Sequence, residues 1–357
     1  MTRSIFSNPL PGVPDVESPF FEEIFSNKEI SHQTLDLAHQ MRERGYAIID
    51  FPDAEFENRT NRIIESLGKN FDFEMWKRDL WPKNDGLRIQ DAWKDNSDVL
   101  SLATNPTVLK ILSDLYGRKP IPFQTLNFPV GTQQSVHNDQ VHFSSIPERF
   151  MCGVWIAMED IDDDNGALEY YPGSHKFQSF VNEHISACSA QQEKPLEHYS
   201  KYTDLWKKLI EKYEIKPERF HAKKGQALIW SSNLLHGGIR HADQARTRWT
   251  QVTHYFFENC AYYTPMLSDP AFGKTKYRSI IDIATEKNIP NIYSGHEIPT
   301  SVIDGFYATP NDTAITFIPE GFDPENYLTF NPDVAAAGID ARTHFLEFGF
   351  REQRRWK

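Results

Sequence analysis

Leu35, Leu37, Ala38 and Met41 recur with helical spacing across residues 31–44, and Gly45 supplies a natural stop. Residues 46–51 (YAIIDF) then read as a short strand. Amphipathic helices are predicted over 55–70 and 105–116. From Phe123 the texture turns to strands: FQTLNF, an extended stretch through 131–143, MCGVWIAMED at 151–160, ALEYY before the Pro172-Gly173 turn, QALIWSS after Gly225 and WTQVTHYFF at 249–257. The 151–160 segment is mostly apolar and ends on acids, the pattern of a strand buried on both faces. Residues 1–30 form an irregular, proline-bearing lead. Residues 178–222 are a polar, helix-prone insertion with its clearest helix at 202–213. Residues 266–321 are loop-rich, and 322–357 carry two helical pieces around Gly338, in the manner of a small separate module.

The 357 residues suffice for a large core, as one elaborated domain or a domain with an appendage. A net charge of −12 argues against nucleic acid or an anionic membrane surface as the main partner. Eight Trp, fourteen Tyr and twenty-five Phe supply a β-rich core, with some available to line a pocket. Cys152, Cys188 and Cys260 are odd in number and form no C-x-x-C pair, so free thiols in a reducing compartment are expected. Prolines interrupt the N-terminal MTRSIFSNPLPGVPDV where a signal peptide needs an apolar run, and no stretch approaches a membrane span. The expected location is the cytoplasm. The turn DIDDDNG puts Asp160, Asp162 and Asp164 in calcium-loop positions, but Asn165 replaces the glycine and Tyr171 the glutamate. It reads as a solvated turn.

The candidate chemistry centres on GTQQSVHNDQVHF at 131–143. On an extended strand, His137 and Asp139 project to the same side. An imidazole and a carboxylate pointing together make two thirds of a 2-His-1-carboxylate facial triad, which suits Fe(II) with open positions for other ligands. His236, in LIWSSNLLHGG, is the best candidate for the third ligand. Arg88, Gln90 and Asp91, in GLRIQDAW, are candidates to line a pocket; the alternative is an exposed polar turn.

In order, these pieces resemble the phytanoyl-CoA dioxygenase family of Fe(II)/2-oxoglutarate oxygenases. The resemblance rests on HND at 137–139, VWIAMEDIDDDNGALEYYPGSHK at 154–176, LLHGG at 234–238 and RTRWTQVTHY at 246–255, and extends over residues 30–265. It implies a mainly β fold with helical additions, built on a double-stranded β-helix (a cupin-like jelly roll) over 31–265. It implies Fe(II) on His137, Asp139 and His236, with 2-oxoglutarate and O2 as cosubstrates. Counting back six residues from His254-Tyr255 assigns the far carboxylate of 2-oxoglutarate to Arg248, leaving Arg246 as a surface cation. Trp155 then lies beside the cosubstrate, with Gln134 and Asn127 as further contributors. Because Asp139 is present, hydroxylation with release of succinate and CO2 is the implied reaction.

Amides, carboxylates and aromatics, among them Gln90, Asp91, Tyr170 and Tyr171, outnumber the cations near the inferred mouth. They point to an uncharged or cationic polar small molecule, carbohydrate- or amino-compound-related, ahead of an acyl-CoA. The C-terminal YLTFNPDVAAAG resembles a short bacterial repeat attached to surface-glycan assembly proteins. Two other readings stay open: a cupin-like metal enzyme without 2-oxoglutarate, and a non-catalytic jelly-roll binding protein. Every candidate ligand precedes Asn259. Deleting residues 322–357 is therefore expected to leave iron binding intact, and an iron titration of the soluble truncated protein checks this.

Overall fold

The computed structural model describes residues 8–78, 88–189, 198–304, 321–345 and 354–356. The chain divides into two compact units, Met1–Ile298 and Pro299–Lys357. The first eleven strands are β1 (Tyr46–Asp50), β2 (Ile89–Gln90), β3 (Pro120–Phe128), β4 (Ser144–Ile146), β5 (Met151–Ala157), β6 (Leu168–Tyr170), β7 (Glu218–Phe220), β8 (Gln226–Ser231), β9 (His236–Gly238), β10 (Thr250–Phe257) and β11 (Ala261–Tyr263). A six-stranded sheet runs in the order β1-β8-β5-β10-β3-β2 with every neighbour antiparallel. A three-stranded sheet has the order β7-β6-β9, and β4 pairs with β11.

The period-two alternation of strands sorts the core into two layers. Along β5, Cys152, Val154 and Ile156 enter one apolar cluster, while Trp155 and Ala157 enter another. Along β8, Ala227 and Ile229 join the first, Leu228 and Trp230 the second. All seven residues of β5 are buried, which is why this stretch reads as a continuous apolar run. The second cluster also holds Leu168 and Tyr170 from β6 and Phe220 from β7, so it fills the space between the two sheets.

Helices cover the other face of the large sheet: α1 (Phe21–Asn27), α2 (His32–Arg44), α3 (Phe56–Gly68), α5 (Ser97–Ala103) and α6 (Pro106–Tyr116), while α4 (Phe73–Lys77) puts Trp76 in a separate cluster with Phe71 and Val130. Phe21, Leu37, Met41, Ile63, Val99 and Leu112 bring their apolar sides into the first cluster. Helix α2 starts with the Ser31 hydroxyl accepting from Thr34 N–H, and ends at Gly45 with φ +85°. The chain then passes directly into β1.

Several elements differ from the sequence-based expectation. The lead contains α1, whose Phe21, Ile24 and Phe25 are buried, so this segment belongs to the core. Helices α4 and α5 are short and unanticipated; α5 is defined by Asn96, whose side chain accepts from the N–H groups of Asp98 and Val99. In the 178–222 segment, helix α7 (Tyr199–Lys212) begins three residues before the expected start, and β7 joins the small sheet. After Tyr263 the loops include two small hairpins, Ile280–Asp282 with Lys287–Ile289 and Ile292–Tyr293 with His296–Glu297. The stretch through 131–143 is not a strand; its only regular pairing is a single bridge at His137.

In the second unit, Phe322, Tyr327, Val334, Ala341 and Phe345 form a core of their own, and the Tyr327 hydroxyl pairs with His344 Nδ1 at 2.9 Å. Three short helices replace the two expected: Pro324–Phe330, Pro332–Ala336 and Ala341–His344. Gly338 makes the turn before the last of them with φ +67°. Among the described residues, no helix is long and apolar enough to cross a membrane.

Buried Asn105 caps α6 through the N–H groups of Thr107 and Val108 and also donates to Pro52 O at 2.9 Å. Asn105→Ala is expected to cost about 1–2 kcal/mol of unfolding free energy. Urea denaturation with an unchanged slope reads this out.

Candidate active site

The small sheet and the irregular 131–143 segment meet at one point. His137 N–H donates to His236 O at 2.9 Å, and His236 N–H returns a bond to His137 O at 2.8 Å. This reciprocal bridge places the two imidazoles side by side, with ring centroids 4.4 Å apart. Gly237 and Gly238 permit the approach. A Cβ on Gly237 would lie 2.8 Å from Gln134 O, and one on Gly238 would lie 2.9 Å from Thr132 Oγ1.

Each ring has its tautomer set by the backbone. His137 Nδ1 lies 2.9 Å from Ser135 O, and His236 Nδ1 lies 3.0 Å from Leu234 O. A carbonyl only accepts, so Nδ1 carries the proton and Nε2 keeps its lone pair. Both Nε2 atoms face Asp139 Oδ1, at 4.0 Å and 3.9 Å. Asp139 reaches this position through a turn, its carbonyl accepting from His142 N–H and Phe143 N–H. Trp230 Nε1 donates to Asp139 Oδ2 at 2.7 Å, which leaves Oδ1 toward the histidines. His254 Nε2 stands 3.7 Å from Oδ2.

Burial depresses the His137 imidazole to about 3, with His236 adding to the effect. Burial similarly lowers His254 to about 4. For Asp139, burial pushes upward, but His236, His254, His137 and the Trp230 hydrogen bond together hold the carboxyl below its usual range. His137 is therefore a neutral imidazole beside a carboxylate, and the donor atoms of His137, Asp139 and His236 all lie within 4.8 Å of one another. That donor set fits Fe(II).

These residues line a cavity of about 510 Å³. Even-numbered residues of the large sheet face it: Gln124, Leu126 and Phe128 on β3, and Val252 and His254 on β10. Arg248 continues the same parity just before β10 and also lines the cavity. Its guanidinium is 2% exposed and lies 5.7 Å from the Trp155 ring centroid. Nη2 donates to Val130 O at 3.3 Å, whereas the buried Nε has no hydrogen-bond partner among the described residues. Burial lowers this guanidinium to about 10. A guanidinium with an orphaned donor in a cavity wall fits a carboxylate ligand. Arg246, by contrast, pairs with Asp162 at 2.9 Å near the surface.

The structure brings His137, Asp139, His236, Trp155, Gln134, Arg248, Arg88 and Gln90 to this cavity. Four candidates are elsewhere. Asn127 has odd parity on β3, so its amide points away from the cavity and donates to Gln251 Oε1 at 3.2 Å. Asp91 adopts φ +53°, and its Oδ1 accepts from Thr125 N–H at 3.1 Å, bracing the edge of the sheet. Tyr170 packs against Tyr46, with centroids 4.5 Å apart, inside the apolar layer between the sheets. Tyr171 sits in a separate cluster with Tyr202 and Trp206.

A family model described as phytanoyl-CoA dioxygenase (PhyH) matches residues 29–247. The chain belongs to the phytanoyl-CoA dioxygenase family. Among curated relatives, it is 24% identical to the human peroxisomal phytanoyl-CoA dioxygenase over 252 residues, covering 64% of this chain and 70% of that protein. It is 23% identical to the bovine protein of the same name, covering 58% of this chain and 61% of the relative, so the match spans about three-fifths of that protein. Among solved structures, it aligns with the non-heme alpha ketoglutarate dependent carbocyclase SnoK from nogalamycin biosynthesis at 17% identity and TM-score 0.47, covering 68% and 90% of the two chains. It aligns with EctD from S. alaskensis with bound Fe at 16% identity and TM-score 0.45, covering 71% and 80%.

Within this phytanoyl-CoA dioxygenase family member, sequence reasoning missed Trp230, His254, His142, Tyr199 and Arg278, all of which line the cavity. Two of them carried a usable signal. His254 shares the parity of Arg248, which lies just before its strand, and Trp230 shares that of Leu228 in QALIWSS. Arg278 lies where no periodicity marks it.

Trp230→Phe keeps a ring but removes the donor to Asp139. Loss of such an outer hydrogen bond is expected to weaken Fe(II) affinity by roughly tenfold or more, measured by anaerobic titration against the wild-type protein.

Proposed function

We propose that this protein is an Fe(II)- and 2-oxoglutarate-dependent oxygenase that hydroxylates a polar small molecule. The observation that carries this reading is Arg248, a buried guanidinium with an orphaned Nε in the wall of the same cavity as the metal-type donors. A metal enzyme working without 2-oxoglutarate would not need Arg248 to hold that cosubstrate. Family membership and the tautomers fixed by Ser135 and Leu234 support the same assignment.

In this reading His137 Nε2, His236 Nε2 and Asp139 Oδ1 would hold the iron. Arg248 would grip the far carboxylate of 2-oxoglutarate, with Trp155 packed beside it. The iron, when bound, supplies the oxidising chemistry: substrate C–H, O2 and 2-oxoglutarate become C–OH, succinate and CO2. Trp230 keeps one oxygen of Asp139 occupied, so that the carboxylate binds through the other. The apolar residues of the cavity, among them Leu126, Phe128 and Val252, keep bulk water from the reacting atoms.

We further propose a jelly-roll core for the catalytic domain over 31–265, with the two sheets as its halves, and 322–357 as a distinct module. Free Cys152, Cys188 and Cys260 support a reducing, cytoplasmic setting.

The test is succinate formation that requires both Fe(II) and 2-oxoglutarate, together with two arginine variants. Arg248→Ala is expected to weaken 2-oxoglutarate binding by roughly ten- to a hundred-fold. Arg246→Ala should leave it near the wild-type value, because Arg246 already has Asp162 as its partner. A larger loss in Arg246→Ala refutes the assignment.

A further inference from the structure

The cavity wall beside Asp139 carries three polar side chains with unused hydrogen-bonding capacity among the described residues. Gln124 on β3 and His254 on β10 share the cavity side of the large sheet, and His254 Nδ1 lies 2.9 Å from Gln124 Oε1. The amide oxygen only accepts, so the imidazole donates to it, and Gln124 Nε2 makes no hydrogen bond among the described residues. The His254 ring is 5.2 Å from Phe143, Phe143 is 6.2 Å from His142, and His142 is 5.4 Å from Tyr199. Gln124, His142 and Tyr199 therefore stand along one continuous arc of the lining. The ring nitrogens of His142 and the hydroxyl of Tyr199 also have no hydrogen-bond partner among the described residues.

Each of the three is held in place by its surroundings. His254 fixes the Gln124 amide, and the His142 backbone N–H donates to Asp139 O at 2.9 Å. Tyr199 is the first residue of α7. One turn on, the Tyr202 hydroxyl donates to Asn182 Oδ1 at 2.9 Å, and Asn182 Nδ2 donates to Met266 O at 3.3 Å, on the loop that supplies Leu267 to the lining. Arg248 precedes His254 by six residues, roughly 20 Å along an extended chain. A cosubstrate gripped by Arg248 therefore leaves this arc to the substrate.

The arc both donates and accepts. Gln124 offers two N–H donors, whereas a neutral imidazole and a phenol each offer one donor and one acceptor. Burial holds the His142 imidazole down, toward its neutral form. Burial, and after it the Asp139 carboxylate, pushes the Tyr199 phenol up to about 12, so it keeps its proton. A carboxylate only accepts and an ammonium only donates, but a hydroxyl does both and satisfies all three side chains. Polar groups of this kind, left unpaired by an analogue without hydroxyls, also reject that analogue.

We propose that Gln124, His142 and Tyr199 bind hydroxyl groups of the substrate, which is a neutral polyhydroxylated small molecule. This rests on the oxygenase reading and narrows its polar substrate to one chemical class. Phe143 and Leu267, in the same lining, flank the carbon skeleton.

The experiment uses the full chain loaded anaerobically with Fe(II) and 2-oxoglutarate, so that no turnover occurs. Methyl glucoside, myo-inositol and cis-cyclohexanediol are the hydroxylated probes. Methoxytetrahydropyran, cyclohexanecarboxylate and cyclohexylamine share their six-membered rings but carry no hydroxyl. Binding is followed by calorimetry and by displacement of labelled 2-oxoglutarate. At least one hydroxylated probe is expected to bind roughly tenfold or more tightly than every control, without displacing 2-oxoglutarate. Tyr199→Phe, His142→Phe and Gln124→Leu should each cut that advantage by roughly two- to tenfold while Fe(II) and 2-oxoglutarate still bind. A purely structural role would instead lower the thermal midpoint of the unliganded protein and leave the ranking of probes unchanged. Controls that bind as well as the hydroxylated probes overturn the proposal, as does the absence of binding by every hydroxylated probe. Displacement of 2-oxoglutarate, or an advantage that survives in all three variants, overturns it too. Tyr199→Phe removes a single oxygen and keeps the ring, so it decides the matter if another variant does not fold. Repeating the series on metal-free protein separates the two ideas: failure to bind iron or 2-oxoglutarate refutes the oxygenase reading, while the preference for hydroxyls is still read directly.

Discussion

Two backbone hydrogen bonds between His137 and His236 hold the site together. One partner sits in an irregular segment and the other at the start of a three-residue strand, so neither element positions its imidazole alone. The reciprocal bridge fixes the separation of the rings, and the neighbouring carbonyls of Ser135 and Leu234 fix their tautomers. Gly237 and Gly238 matter for the same reason: any side chain there would collide with the 132–136 backbone or with Thr132 and pry the bridge apart. The sequence HGG thus encodes a close approach between chains as well as a ligand.

Strands buried on both faces were legible in the sequence because their composition has no polar face to confuse the reading, and β5 is the clearest case. Helix α2 was legible through its apolar spacing and its Gly45 stop. Short helices such as α5 escaped because seven residues hold too little of a period, and the α5 cap is a single asparagine whose meaning depends on the next turn. The triad was found although the local geometry assumed for it was wrong. His137 and Asp139 converge through a bridge and a turn, where an extended strand had been expected. Asn127 failed on parity, since its neighbours Leu126 and Phe128 occupy the cavity side. Arg278 was invisible because a loop residue carries no periodicity, and only tertiary structure returns it to the site.

Whole-chain charge and local charge disagree here. The protein carries −12 overall, yet three arginines and one carboxylate face the cavity among its described residues. The acids sit outside, in turns such as Asp160–Asp164, where Lys223 and Arg246 pair with them. Net charge therefore describes how the surface meets solvent and large polyelectrolytes, while the few desolvated groups decide what enters.

Gly153 on β5 faces the indole of Trp230, whose ring carbon would lie 2.3 Å from any Cβ placed there. The two positions are also direct neighbours across the sheet. They consequently act as one mutational unit. A side chain at 153 is admissible only after 230 has become smaller, and shrinking 230 first leaves a void and an unsupported Asp139. Each single change disrupts packing that only the second can restore, so either position constrains the other. Redesign of this cavity would have to change the two together.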